Sequence, residues 1–214
     1  MNWFRIRESL SLFKKQLNNY VIMFGLSFDV GQKNLAYCKV NLETRDIVEW
    51  NVISLPASPT AIVKHLEQTF PVENVSLILV EKQPARNVKM RIIETILLTY
   101  FSTKGVKTVL SYSAKHKLGS AGKTIKGKTN YTMRKKMSVV MCKTYISRTA
   151  NMDAWNVLFE KSKKKDDLAD CLLQYLSYIK YDVSTLTTSI VDLDFTAPEK
   201  LAPLARGNEP LHFF

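Results

Sequence analysis

The sequence predicts an α/β fold built on a five-stranded mixed sheet, three strands antiparallel and two parallel, with helices on both faces. Two observations carry this. The first third holds three strand-like segments joined by short polar turns, an antiparallel meander. The middle then alternates helix, strand, helix, strand, an order that calls for parallel strands with helices packed on the sheet. A chain of 214 residues with 46% hydrophobic content can bury a core of that size.

Ile22, Phe24, Leu26 and Phe28 alternate with Met23, Gly25, Ser27 and Asp29, the period of a strand. Asp29 closes the strand, and Gly31 permits a tight turn behind it. Leu35 to Val40 forms a second strand, Glu43-Thr44-Arg45-Asp46 a polar turn, and Ile47 to Leu55 a third strand. Ser58-Pro59 starts a helix, with serine as N-cap and proline in the first turn, running to about Phe70. Val75 to Val80 is nearly all apolar, as in a central strand covered on both faces, and ends in Glu81. Beyond Pro84 a helix is expected to turn Val88, Ile92, Ile96, Leu97 and Tyr100 inward, and Val106 to Tyr112 is the fifth strand. Ser113 to Thr132 lacks periodicity, holds three of the seven glycines and reads as a mobile basic loop. Helices follow over Met133 to Ile146 and Asp153 to Glu160. The last helix starts within Lys163-Lys164-Lys165-Asp166-Asp167-Leu168-Ala169-Asp170, because Leu168, Leu172, Tyr175, Leu176 and Ile179 recur on one helical face. Residues 1–20 are then a basic N-terminal extension, 21–181 the folded domain and 182–214 a tail that lies over the surface or is disordered.

The formal charge is +12, and its distribution narrows the function. Ser102 to Lys165 holds 16 Lys and Arg against two acids, a net +14 that leaves −2 for the rest of the chain. Such a block inside a folded domain makes an anion-facing surface, most often for nucleic acid. Cys38, Cys142 and Cys171 are widely spaced with no Cys-x-x-Cys pair and no nearby His. They read as buried thiols of a reducing, intracellular compartment, not as a disulfide frame or zinc site. No apolar run approaches the roughly 18 residues of a membrane helix. The first twenty residues interleave Arg5, Arg7, Lys14 and Lys15 with Trp3, Phe4, Ile6, Leu10 and Phe13, too charged for a secretory signal. A basic amphipathic helix and an organelle transit peptide both fit them.

Ligands of such sheets gather at the carboxyl ends of the strands, where Asp29 and Glu81 stand. Asp167 and Asp170 are three residues apart at the start of the last helix and so neighbours on its surface. Acids at a helix start also serve as caps, a role compatible with ligation. Four carboxylates from three distant segments, with no Cys or His among them, suit hard cations such as Mg²⁺ or Mn²⁺. Two such ions about 4 Å apart would support an in-line phosphodiester displacement.

Three motifs carry a resemblance. Phe28-Asp29-Val30-Gly31 with Lys33-Asn34-Leu35-Ala36-Tyr37-Cys38, then Val80-Glu81-Lys82-Gln83-Pro84, then Lys164-Lys165-Asp166-Asp167-Leu168-Ala169-Asp170 resemble the RuvC-like Holliday junction resolvases. The branches of fungal mitochondria and of large DNA viruses, poxviruses among them, are the most similar. The likeness spans Phe24 to Lys180 and implies a ribonuclease H-like fold. It also implies that Asp29, Glu81, Asp167 and Asp170 bind two Mg²⁺ ions, with Mn²⁺ as a substitute, and that Asp29 bridges them. Asp166 is out of register with the final acid. The family's catalytic lysine falls within Ser113-Ala114-Lys115-His116-Lys117, with Lys117 favoured over Lys115. Arg86, Lys115, Lys123, Lys126, Lys128, Arg134, Lys135 and Lys136 would then hold the DNA backbone.

By the same resemblance the partner is a four-way DNA junction, cut by a homodimer, with no membrane and no organic cofactor involved. The apolar surface of the helix from Val88 to Phe101 offers an interface. The place of action would be viral replication sites in the host cytoplasm for a viral chain, or the mitochondrion for a fungal one. Two alternatives stay open: a nuclease of the same fold acting on structured RNA or on branched or duplex DNA, and a junction-binding protein without catalysis.

Overall fold

A computed structural model describes residues 21–118 and 130–187. Within them β1 (Phe24–Val30), β2 (Asn34–Asn41), β3 (Ile47–Ser54), β4 (Val75–Glu81) and β5 (Thr108–Tyr112) form one sheet in the order β3-β2-β1-β4-β5. The β1–β2 and β2–β3 pairs are antiparallel, and β1–β4 and β4–β5 parallel, as the element order required. Behind Asp29 the chain turns tightly at Gly31, whose amide donates to the Asn34 carbonyl at 2.9 Å. A side chain there would bring its Cβ within 2.8 Å of that carbonyl oxygen, so the turn excludes other residues by close approach.

Helices α1 (Pro59–Thr69) and α2 (Val88–Thr103) cover one face, and α3 (Asn130–Arg148), α4 (Asp153–Lys161) and α5 (Lys165–Tyr178) the other. Alternation along β1 supplies both layers. Leu26, Phe28 and Val30 point to the α1/α2 side, where Phe28 packs on Phe70 and Phe101 at ring distances of 5.1 and 5.6 Å. Ser58 caps α1 by accepting from the Ala61 amide, as Ser58-Pro59 predicted.

On the opposite side α5 is apolar nearly all round, with Leu168, Ala169, Cys171, Leu172, Leu173, Tyr175 and Leu176 buried. It is the central helix of that layer. Trp50 of β3 stacks on Phe159 of α4 at 5.4 Å and donates its indole N–H to the Leu168 carbonyl at 3.0 Å, fixing the start of α5 against the sheet. All three cysteines are buried free thiols. Among the described residues no helix is long and apolar enough to cross a membrane.

Three expectations are corrected. The α2 face toward the core is Ile93, Leu97, Tyr100 and Phe101, while Val88 and Ile92 are exposed. Glu94 lies on that inward face too, buried where it accepts from the Gln83 amide and the Ser111 hydroxyl, a polar anchor that apolar spacing does not register. The basic loop is also ordered at its start, where Ala114–His116 forms a 3₁₀ turn and Lys117 and Leu118 are buried. Finally, Val183–Thr187 forms a short 3₁₀ segment whose Val183 and Leu186 join the core, so the packed unit runs past residue 182. The 1–20 extension and the chain beyond 187 lie outside the described residues.

Candidate active site

Register brings the first two acids together. Phe28 of β1 pairs with Val80 of β4, and both side chains lie in the α1/α2 layer. The next residues, Asp29 and Glu81, therefore stand side by side on the other face, at the carboxyl ends of adjacent parallel strands. Asp170 reaches the same spot from α5, whose first turns lie over that strand end.

Lys117 ties the three together. Its ammonium lies 3.0 Å from Glu81 Oε1, 3.5 Å from Asp29 Oδ1 and 3.6 Å from Asp170 Oδ2. The lysine is 3% exposed, placed there by the 3₁₀ turn that follows β5. The site forms the floor of a cleft of about 870 Å³, whose walls include Arg86, Lys115, Tyr131, Arg134, Lys135 and Asp167.

The charges do not balance. Burial is the main influence on Asp29 and pushes its carboxyl well above the usual range; Lys117 opposes this, and Glu81 and Asp170 reinforce it. Burial raises Glu81 too, but the hydrogen bond with Asp29 and the Lys117 ammonium outweigh it and hold that carboxyl below its ordinary value. The two neighbouring carboxyls are thus pushed in opposite directions, Asp29 up and Glu81 down. Asp170 is raised, chiefly by burial. Burial alone would lower Lys117, but Asp29, Asp170 and Glu81 together lift it above the ordinary lysine value, so it stays protonated.

One ammonium among three carboxylates leaves an excess of negative charge in a poorly solvated place, and the donors are all hard oxygens. This set fits a divalent hard cation. Among the described residues no three His, Cys, Asp or Glu side chains gather to hold one ion by themselves. Mg²⁺ does not need such a cage, since it is commonly held by one or two carboxylates with water and phosphate oxygens completing the shell.

The Poxvirus A22 protein family profile matches residues 21–182, three quarters of the sequence. The chain belongs to the Poxvirus A22 protein family. Among solved structures, the fowlpox virus resolvase in complex with its substrate Holliday junction DNA is similar at 23% identity and a TM-score of 0.52, over 74% of this chain and 97% of that one. A second crystal structure, of the fowlpox virus Holliday junction resolvase, is 20% identical with a TM-score of 0.51, over 74% of this chain and 99% of that one. At these identities the likeness establishes the fold. Comparison with curated proteins gave no significant match.

In this A22-family chain the sequence-predicted residues separate by place. Asp29, Glu81, Asp170 and Lys117 converge; Asp167 lines the same cleft and pairs with Lys164 at 3.5 Å. Lys115 is exposed on the cleft wall, two residues from the buried Lys117. Asp166 points elsewhere and forms an ion pair with Lys135, which holds that acid below its usual range against the opposing effect of burial. No side chain caps α5, which begins at Lys165 with Asp166 and Asp167 in its first turn. Lys136 is exposed on α3, and Lys123, Lys126 and Lys128 lie outside the described residues.

Sequence reasoning missed three polar residues that support the site. Gln83 donates to Glu81 Oε2 at 3.3 Å and to the Glu81 carbonyl at 3.1 Å. Glu94 anchors the Gln83 backbone amide at 2.9 Å. Gln174, wholly buried on α5, donates to atoms of both β1 and β4. Gln83 sits two residues beyond Glu81, a spacing that hinted at contact. The others bond to groups distant in sequence and leave no local signal.

Proposed function

We propose that the chain is a Holliday junction resolvase, a metal-dependent endonuclease that cuts four-way DNA junctions by paired symmetric nicks. The observation that carries this reading is the gathering of Asp29, Glu81 and Asp170 on one buried lysine at the floor of a basic cleft, in a chain of the Poxvirus A22 family. Acids below and cations around the rim suit a phosphodiester: the rim attracts the backbone, and the floor performs the hydrolysis. The fowlpox virus resolvase, similar in fold, takes Holliday junction DNA as substrate, which makes that junction the first substrate to try.

Asp29, Glu81, Asp167 and Asp170 would hold two Mg²⁺ ions, with Mn²⁺ as a substitute, and Asp29 would serve both. When bound, they supply an activated water and stabilise the leaving oxygen. Lys117, kept protonated by its three acids, offers its ammonium where negative charge grows on the phosphate. Arg86, Lys115, Arg134 and Lys135 on the cleft walls hold the backbone, positioning the junction without reading its sequence.

A junction with two-fold symmetry takes two nicks, so two active sites must face it. A homodimer formed through α2 would provide them, using the exposed Val88 and Ile92. A poxvirus-family enzyme of this kind would act at viral replication sites in the host cytoplasm. Incubation with Mg²⁺ and a panel of four-way junction, linear duplex and structured RNA tests the reading. Preferential, paired nicking of the junction is expected; equal cutting of the linear duplex would contradict it.

A further inference from the structure

One face of α5 carries a polar stripe that the proposed chemistry only partly uses. Asp167, Asp170, Gln174 and Ser177 follow at spacings of three, four and three, which stacks them along one side of the helix. Asp170 reaches Lys117. One turn further on, the Gln174 Nε2 lies 3.1 Å from the Ser27 hydroxyl, 3.2 Å from the Phe28 carbonyl and 3.3 Å from the Leu79 carbonyl, its two N–H groups shared among the three. Phe28 immediately precedes Asp29, and Leu79 lies two residues before Glu81. At the end of the stripe Ser177 donates to the His116 carbonyl at 2.9 Å and, with its proton so used, accepts from the Tyr112 hydroxyl at 2.9 Å. His116 immediately precedes Lys117.

We infer that Gln174 and Ser177 are positioning residues, through which α5 sets the places of Asp29, Glu81 and Lys117 relative to its own Asp170. Each of the three elements that deliver a site residue is bonded to this one helix face, close to the residue it delivers. Gln174 is completely buried, yet its Oε1 finds no hydrogen-bond partner. The two carbonyls fix that orientation, because only the NH₂ end of the amide can face them. An apolar side chain of the same volume would fill the site and remove the unpaired Gln174 oxygen, though it would take the amide from the buried Ser27 hydroxyl. What the glutamine adds is a link between two strand ends and the helix, and those strand ends carry two of the acids.

The inference rests on the resolvase reading for its chemistry, but its first test does not need turnover. Gln174→Met keeps the volume and removes the donors. Calorimetric titration with Mn²⁺ is expected to show affinity about tenfold weaker than wild type, the scale typical of residues that orient metal ligands. Binding of the four-way junction in Ca²⁺ should be unchanged, since the cleft cations are untouched. Wild-type Mn²⁺ affinity in a folded Gln174→Met protein overturns the inference. Should that variant fail to fold, Ser177→Ala decides, because Ser177 lies on the less buried end of α5. With the His116 carbonyl freed from Ser177, the turn that holds Lys117 should open more often; Lys117 should be acylated faster than in wild type, read by mass spectrometry, and kcat should fall about tenfold with the junction KM unchanged. Lys117 protected as in wild type overturns the inference. A wild type that cuts no junction contradicts the resolvase reading and leaves the metal-affinity and acylation results to stand on their own.

Discussion

Lys115 and Lys117 differ by two positions and by almost everything else. One is exposed on the cleft wall; the other is 3% exposed among three carboxylates. The sequence could favour one but not decide, because a three-residue 3₁₀ turn is too short to show a period, and its rotation alone chooses which side chain points inward. The acids were easier to read, since Asp29 and Glu81 each end an apolar strand. Gln174 was illegible for the opposite reason: its partners are a hydroxyl and two backbone carbonyls, groups that every stretch of chain possesses. Removing Lys117 leaves its acids without compensation. Lys117→Met is therefore expected to cost about 3 kcal/mol in metal-free protein, and clearly less with Mg²⁺ present, where a cation takes over part of its charge. Urea unfolding with and without Mg²⁺ measures this; identical losses in the two conditions would count against it.

Asp29 gives the pH dependence at the same scale. Its carboxyl is raised, above all by burial, which favours the protonated form. A bound divalent ion must displace that proton, so metal affinity should rise as pH climbs toward the raised pKa and level off above it. Glu81, held low, contributes nothing over this window. Mn²⁺ titrations at mildly acidic and mildly alkaline pH read the effect directly. Affinity that fails to rise with pH would contradict a raised Asp29 carboxyl.

Among the elements, α2 shows how one buried glutamate misleads. Apolar residues lie nearly all round this helix, so its inward face is set by a few decisive contacts. Glu94, bonded to the Gln83 amide and to Ser111, turns Val88 and Ile92 outward, Val88 to 63% exposure. Apolar spacing alone registers no such anchor and places the pair inside. The corrected phase leaves an apolar surface that core packing does not explain. Ile92→Asp is expected to leave the fold intact and to shift a dimer to monomer in sedimentation experiments. A dimer that persists would move the interface elsewhere. Helix α5 shows the reverse case: its apolar recurrence was legible, because a helix buried almost all round has little freedom of phase.

At the scale of the molecule, strand order and sheet direction were legible because three alternating segments followed by strand–helix repeats admit few topologies. The end of the packed unit was not, since Val183 and Leu186 are isolated apolar residues in a polar stretch. Charge divides the chain as well, with the +14 section from Ser102 to Lys165 supplying the 3₁₀ turn and the α3 residues that line the cleft. Junction binding should therefore be electrostatic in large part and fall steeply with added salt in gel-shift titrations in Ca²⁺. Affinity insensitive to salt would mean the basic section does not face the DNA.

All three scales meet at the acids around Lys117. Their role is tested most directly by cleavage of a synthetic four-way junction with Mg²⁺, comparing wild type with Asp29→Asn and Asp170→Asn. The account predicts paired nicks by the wild type and a loss of at least about a hundredfold in rate for each variant, with junction binding in Ca²⁺ preserved. Cutting at the wild-type rate by both variants would contradict it.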